Sequence, residues 1–258
     1  MTTRRALSPF GIEVTNDVAG RCITSLGADE LRTAVADHRV VVLRGFSVPE
    51  DEQTVVFCGQ LGEILQWEFG AINELRVDAD AQNYLYTNRA VPFHWDGAFV
   101  GRVPHVIFFH CAQAPPDGHG GETLFCNTVD LVETLTREER EHLHSVTITY
   151  STDKIAHYGG QFTAPLLSTH PVTPHSVMRF AEPVDDLNPV HLEITGVEPK
   201  EREAFLVRMG LLLRDHRFCL VHGWQTGDVV LADNHALLHG RQAFKSAAPR
   251  HLRRINIL

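Results

Sequence analysis

Short runs of apolar and β-branched residues set the strongest limit on the fold of this chain. Runs with the length and composition of strands, bounded by Gly, Pro, Asp or Asn, occur at 40–44, 105–111, 122–126, 146–150, 176–180, 218–222, 228–232 and 252–258. Helical patterns are fewer and cover 50–61, 137–143 and 199–214. Because the strands do not alternate regularly with helices, the pattern argues against a doubly wound parallel sheet. It predicts a mainly β protein with flanking helices around an antiparallel barrel or jelly-roll core.

Two of the predicted helices carry start signals. Thr136 and Glu139 have the spacing of a capping box, in which each residue satisfies a free backbone N–H of the first turn. Pro199 suits the first turn of the longest helix, because its missing N–H would have no partner there. We therefore expect helices to begin near both positions.

Composition excludes several classes of partner. The chain has 258 residues, a formal charge of -9 and a pI near 5.9, so it lacks the basic excess expected of a surface for nucleic acid or anionic membrane. The five cysteines include no C-x-x-C pair, which favours reduced, mostly buried thiols. Neither a signal peptide nor a membrane span is evident. We expect one domain over 1–258, located in the cytoplasm, that acts on a small molecule.

One short segment raises the possibility of a metal site. His94 and Asp96 form the tripeptide H-x-D, which is expected about once by chance in a chain with 16 His. Its spacing suits the end of a strand, where residues i and i+2 point to the same side. Two His and one carboxylate on one face of a metal leave three coordination positions open, as in non-haem Fe(II) oxygenases. Downstream, His235 and His239 are the candidates for the second imidazole.

Several motifs, taken in order, resemble the taurine/2-oxoglutarate dioxygenase family (the TauD/TfdA-like iron oxygenases). They are Arg44-Gly45-Phe46, His94-Trp95-Asp96, Gly120-Gly121-Glu122-Thr123, His239-Gly240-Arg241 and Arg250. Each motif alone is weak, but their order and spacing match the family pattern from about residue 40 to the C-terminus. The resemblance implies a double-stranded β-helix (jelly-roll) core.

The resemblance also implies cofactors and site residues. Fe(II), 2-oxoglutarate and O₂ are expected, with His94, Asp96 and His239 as iron ligands and no further catalytic residue. Arg250 and Thr123 correspond to the residues that bind the C5 carboxylate of 2-oxoglutarate, since a buried carboxylate needs a cation and hydrogen bonds. Related iron halogenases have Gly or Ala where Asp96 stands, so halogenation is not expected. Hydroxylation or desaturation at an aliphatic C–H remains.

The primary substrate is constrained less strongly. Arg254 stands where the taurine enzymes place a second arginine on the substrate, so it is a candidate for a substrate carboxylate or for an ion pair. Asn88, Trp95 and Phe99, together with nearby Tyr84, Tyr86 and Phe93, could line a substrate pocket, although core packing is the default for the aromatic residues. The residues flanking the motifs are most similar to bacterial enzymes that desaturate amino-acid-derived isonitriles.

Two functions from other classes stay open at this point. A zinc hydrolase could use His235 and His239, which are four residues apart. Alternatively, a jelly-roll binding protein could have kept the sheet without the metal. His191-Leu192-Glu193 is the chain's H-x-E segment, and we expect it to bind no metal because no family motif surrounds it.

Overall fold

The computed structural model describes residues 2–78, 80–153, 160–185, 187–245 and 249–258. In these ranges the strands are β1 (Thr2–Ala6), β2 (Ile12–Asn16), β3 (Val40–Arg44), β4 (Asn73–Arg76), β5 (Val91–His94), β6 (Val106–Gln113), β7 (Thr123–Asn127), β8 (Thr147–Ser151), β9 (Gln161–Pro165), β10 (Leu167–Thr169), β11 (Ser176–Met178), β12 (His191–Thr195), β13 (Cys219–His222), β14 (Val229–Asp233), β15 (Leu237–Arg241) and β16 (His251–Ile257). The α-helices are α1 (Ala28–His38), α2 (Asp51–Gly59), α3 (Thr128–Thr134), α4 (Arg137–His144) and α5 (Arg202–Leu213). Short 3₁₀ helices cover Ile23–Ser25, Tyr84–Tyr86 and Pro199–Glu201.

Two sheets form the centre of the molecule. The larger has the strand order β1-β2-β3-β14-β6-β16-β4, and the smaller has the order β13-β7-β15-β5. All pairings in both are antiparallel except that of β2 with β3. One apolar cluster joins Phe109, Val230 and Leu252 of the larger sheet to Phe125 and Leu237 of the smaller. The sheets therefore pack face to face, and the prediction of a mainly β jelly-roll, or double-stranded β-helix, is confirmed.

The continuous apolar run of β3 is explained by burial on both of its faces. Val40 and Val42 point into the cluster between the two sheets. Val41 and Leu43 point to the opposite face, where they pack against a cluster that includes residues of α1 and α2. Because successive strand residues point to opposite faces, a strand covered by a sheet and by helices needs an apolar residue at every position.

The Arg44-Gly45-Phe46 element has a structural role. Nε and NH2 of Arg44 donate to the two carboxylate oxygens of buried Asp228 at 2.9 and 2.8 Å, and NH1 donates to Glu13 at 2.7 Å. Gly45 has φ +76°, and a Cβ there would lie 2.6 Å from the carbonyl oxygen of Asn16. The element thus ties β2 and β3 to the turn before β14.

Each of the predicted strands and helices overlaps an element of the structure. The capping box of Thr136 and Glu139 is present at the start of α4, and Pro199 opens the 3₁₀ turn that leads into α5. Helix α1 and several strands, among them β12, were not predicted. No helix in the described part of the chain is long and apolar enough to span a membrane.

Candidate active site

Three predicted ligand residues meet at one point although 145 positions separate the first from the last. His94 ends β5, Asp96 follows two residues later, and His239 lies in the middle of β15. One potential ligand atom from each residue lies within 4.8 Å of the others. Nε2 of His94 is 3.8 Å and Nε2 of His239 is 3.9 Å from Oδ1 of Asp96. Strand pairing produces this proximity, because His94 and His239 are direct partners across β5 and β15.

The local environment keeps both imidazoles neutral and able to bind a metal. Nδ1 of His94 is 2.9 Å from the carbonyl oxygen of Pro92, which leaves Nε2 to face Asp96. Burial lowers the pKa of His94, against the opposing effect of Asp96. Burial, and then the neighbouring His94, lowers the pKa of His239 to about 3. Since only neutral imidazole is a ligand, this pair fits a divalent metal.

Asp96 is held as an oriented carboxylate. NH1 of Arg254 donates to Oδ1 at 2.9 Å, and Nδ2 of Asn256 donates to Oδ2 at 3.3 Å. Burial acts to raise the pKa of Asp96, but the opposing effects, of which the charge of Arg254 is the largest, outweigh it and the pKa lies below its usual value. The Asn234 amide accepts from Asp96 N at 3.0 Å and donates to Asp96 O at 3.1 Å. The donor set of two neutral imidazoles and one ionised carboxylate therefore fits a non-haem iron.

A small cavity opens beside this triad. Its lining joins the triad histidines to the two predicted 2-oxoglutarate residues and includes His94, Thr123, His239, Arg241, Arg250 and Arg254. Arg250 is 6% exposed, and Nε donates to the carbonyl oxygen of Gly121 at 2.9 Å. Burial, and then the nearby positive charge of Arg241, lowers the pKa of Arg250 to about 9. Among the described residues no carboxylate forms an ion pair with Arg250, so the cavity offers a buried cation to an anionic ligand.

The Gly-Gly-Glu-Thr segment brings Thr123 to the same cavity. Gly120 and Gly121 have φ of +84° and +86°, a region that favours glycine. A Cβ on Gly120 would lie 2.3 Å from the carbonyl oxygen of Ala243, and one on Gly121 would lie 3.0 Å from Cδ of Arg250. The two glycines thus allow the loop to pass under Arg250 and to start β7 at Thr123.

A larger cavity, open to solvent, adjoins the other side of the triad. Trp95 and Phe99, two of the predicted substrate residues, line it, as do Tyr84 and Phe93. Arg254 also lines this larger cavity, and among the described lining residues it is the only arginine or lysine. Because His94 and Arg254 border both cavities, molecules in the two would meet at the triad.

Two predicted pocket residues lie elsewhere. Nδ2 of Asn88 donates to the carbonyl oxygen of Phe244 at 3.1 Å, and Asn88 lines neither cavity. The Tyr86 hydroxyl donates to Asn73 at 3.1 Å, away from the larger cavity. Their closeness to the H-x-D segment in sequence does not bring them to the cavity, because the chain turns between them and β5.

The alternative histidine pair does not form a site in the described structure. His235 lies beside His105 and His170, and its Nδ1 is 2.6 Å from NH2 of Arg179. His191 lies on β12 with a largely exposed side chain 3.6 Å from Asp153. Within the described ranges, the one group of residues placed to hold a metal is that of His94, Asp96 and His239.

The residues that support Asp96 and Thr123 were not predicted from the sequence. Asn234 and Asn256 bind Asp96, and the indole of Trp224 bonds to Thr123. Asn234 lies in the D-N-H segment singled out for its histidine, but an amide there carries no signal of its own. Their roles follow from contacts between segments that are far apart in the sequence.

Comparisons with known proteins agree on one family. The model of the taurine catabolism dioxygenase TauD, TfdA family matches residues 3–256. A 3-((Z)-2-isocyanoethenyl)-1H-indole synthase from Fischerella ambigua is 44% identical over 98% of this chain and 94% of its own length. A tyrosine isonitrile desaturase from Erwinia amylovora is 37% identical over 96% of this chain and 87% of its own. The solved structure of PvcB, an Fe, alpha-ketoglutarate dependent oxygenase from an isonitrile synthetic pathway, has a TM-score of 0.82 at 30% identity, covering 99% of this chain and 91% of that one.

Proposed function

The chain belongs to the TauD/TfdA family and is an Fe(II)/2-oxoglutarate-dependent oxygenase, and from this we propose that it oxidises a small, carboxylate-bearing isonitrile derived from an aromatic amino acid, forming a carbon–carbon double bond. The relatives named for tyrosine isonitrile and for an isocyanoethenyl indole support this substrate class. The observation that carries the proposal is the His94, Asp96 and His239 triad between two cavities, one of which contains the buried cation Arg250.

Fe(II) would be held by Nε2 of His94, Nε2 of His239 and the Asp96 carboxylate. When bound, the iron supplies the oxidation of a C–H bond by O₂, with 2-oxoglutarate converted to succinate and CO₂. Removal of two hydrogen atoms from the substrate then releases water, so one 2-oxoglutarate and one O₂ are consumed for each double bond. Asn234, Asn256 and Arg254 keep the carboxylate in place for this ligand role.

The smaller cavity would hold 2-oxoglutarate. Arg250 offers a planar guanidinium to the distal carboxylate, and the Thr123 hydroxyl can donate a further hydrogen bond. Binding relieves a cost that the fold already carries, since Arg250 is buried without a carboxylate partner among the described residues. This arrangement favours a dicarboxylate over a simple 2-oxoacid.

The larger cavity would hold the substrate. Arg254 keeps NH1 on Asp96, while its Nε is buried with no hydrogen-bond partner among the described groups. A substrate carboxylate beside this guanidinium would pair with its positive charge and would place the adjacent carbons near the triad. Trp95 and Phe99 provide an apolar wall for an aromatic side chain and exclude water from the reacting carbon.

The test combines a product assay with matched variants. Purified protein, Fe(II), 2-oxoglutarate and O₂ are incubated with the isonitriles of tryptophan and of tyrosine, and with the parent amino acids as controls. We expect an isonitrile to stimulate succinate formation severalfold and to give an olefin. The mass of the product distinguishes three outcomes: loss of two hydrogens, gain of one oxygen, and loss of the carboxylate together with one hydrogen.

The outcomes separate enzyme class from substrate. Succinate formation that is stimulated equally by parent amino acids and by isonitriles would contradict the substrate assignment alone. A hydroxylated isonitrile as sole product would contradict desaturation. Succinate formation that survives His239→Ala, with His235→Ala as the matched control, would contradict the ligand set.

A further inference from the structure

The indole of Trp224 makes a buried contact with the candidate 2-oxoglutarate site. Its Nε1 donates to Oγ1 of Thr123 at 2.9 Å, and the two residues are only 7% and 4% exposed. Trp224 follows β13, whose His222 is the direct partner of Thr123 on β7. The contact thus joins the loop after β13 to the first residue of β7.

The hydrogen-bonding capacity of the two groups determines the orientation of the Thr123 hydroxyl. An indole N–H can only donate, so Oγ1 of Thr123 must accept. The hydroxyl has one proton left, and no group in the described part of the chain accepts it. Thr123 borders the cavity that contains Arg250. We infer that Trp224 is a positioning residue, which fixes the Thr123 hydroxyl so that its proton points at the anion held by Arg250. This inference rests on the proposed roles of Thr123 and Arg250 in binding 2-oxoglutarate.

Packing keeps the indole in this orientation. Its ring meets that of Phe109 edge to face at 6.1 Å and that of His222 at 4.5 Å with an interplanar angle of 89°. Burial lowers the pKa of His222 to about 4, so this neighbour is neutral and does not compete for the anion. A hydroxyl that accepts a hydrogen bond also becomes a better donor, because linked hydrogen bonds polarise one another.

The experiment asks whether Trp224 acts through the Thr123 hydroxyl or only through packing. Under anaerobic conditions, Fe(II) protein is titrated with 2-oxoglutarate and the visible metal-to-ligand band is followed. The proteins are wild type, Trp224→Phe, Thr123→Val and the double variant. The same titration with 2-oxobutanoate, which lacks the distal carboxylate, tests the part of the molecule that is recognised.

We expect Thr123→Val to bind 2-oxoglutarate roughly ten- to a hundredfold more weakly, the range for losing one hydrogen bond to a charged group. Trp224→Phe should weaken binding by up to the same factor, because the Thr123 hydroxyl is then misdirected and not removed. The double variant should bind no more weakly than Thr123→Val, because Trp224 has no hydroxyl to orient in that background. Affinity for 2-oxobutanoate and for Fe(II) should not change. His222→Phe keeps a ring against the indole and is the packing control, with 2-oxoglutarate affinity unchanged.

Additive effects in the double variant, or equal losses for both 2-oxoacids, would overturn the inference. If Trp224→Phe does not fold, 3-benzothienylalanine at position 224 keeps the bicyclic shape and replaces N–H by sulfur; wild-type affinity in that protein would also overturn it. Failure of the proposed function looks different, since wild-type protein would then give no band with 2-oxoglutarate. An unchanged affinity in Thr123→Val would remove Thr123 from the site, and Trp224 with it.

Discussion

Replacing Arg250 with methionine tests two effects of its buried charge separately: the loss of folding stability that the charge causes, and the affinity for 2-oxoglutarate that it provides. Arg250 is 6% exposed, and burial lowers its pKa from 12.5 to about 9. At about 1.4 kcal/mol for each tenfold change in proton affinity, the charged side chain costs the fold on the order of 5 kcal/mol as an upper limit. The variant loses the hydrogen bond from the charged guanidinium Nε to Gly121 O, which contributes about 1.5–3 kcal/mol.

The ligand-free variant should therefore be as stable as the wild type or more stable, by up to a few kcal/mol. Each kcal/mol corresponds to roughly 2 to 4 °C in Tm for a chain of this size. Binding should change in the opposite direction. At a concentration about 100 times its Kd, 2-oxoglutarate stabilises the wild type by about 2.7 kcal/mol. Truncating one partner of a buried charge pair costs about 2–5 kcal/mol of affinity, so the same concentration should stabilise Arg250→Met by less than about 1 kcal/mol.

The assay is thermal unfolding with and without 2-oxoglutarate at a fixed divalent metal concentration. Arg241→Met is the matched control: this buried arginine donates to the carbonyl oxygens of Leu85, Thr87 and Arg89, so its loss should lower the ligand-free Tm. A marked loss of ligand-free stability in Arg250→Met, with the 2-oxoglutarate shift retained, would refute the reasoning and make Arg250 a structural residue.

Three further outcomes are expected. His94→Ala or His239→Ala should abolish Fe(II) binding and succinate formation, measured by metal content and chromatography, whereas His235→Ala should retain both; normal turnover in either ligand variant would remove that residue from the site. Gly121→Ala should raise the KM for 2-oxoglutarate about tenfold or more, because φ is +86° and the new Cβ would lie 3.0 Å from Cδ of the neighbouring arginine; an unchanged KM would show that the loop adapts. Burial keeps the pKa of His222 near 4, below the 6.5 of an exposed histidine. As the pH decreases from about 6.5 to 4, the unfolded chain therefore binds a proton at this residue before the folded protein does. The free energy of unfolding should fall over this range by up to about 3 kcal/mol. His222→Phe should reduce this loss, measured as the urea midpoint against pH, and an identical slope in both proteins would contradict the assignment.

The sequence was most informative where one local pattern suffices. β3 was predicted because burial on both faces demands the unbroken apolar run at Val40–Arg44. The triad was predicted from the resemblance to a family, in which several weak motifs occur in the same order and at the same spacing as in this chain. α1 was missed because only Leu31 and Val35 of its residues are buried, so its periodicity is faint. Asn256 and Trp224 were missed because their partners, Asp96 and Thr123, are more than 100 residues away in the sequence, and no local spacing predicts such a contact.

His94 and His239 are direct partners across β5 and β15, so backbone hydrogen bonds between the strands position these two metal ligands. Some small domains fold only when they bind a metal, and a chelator unfolds them. Here the scaffold is preorganised by two packed sheets, so a demetallated protein should keep its architecture and be reloaded with iron without passing through a denatured state. Loss of iron would then inactivate the enzyme reversibly and would not lead to its degradation.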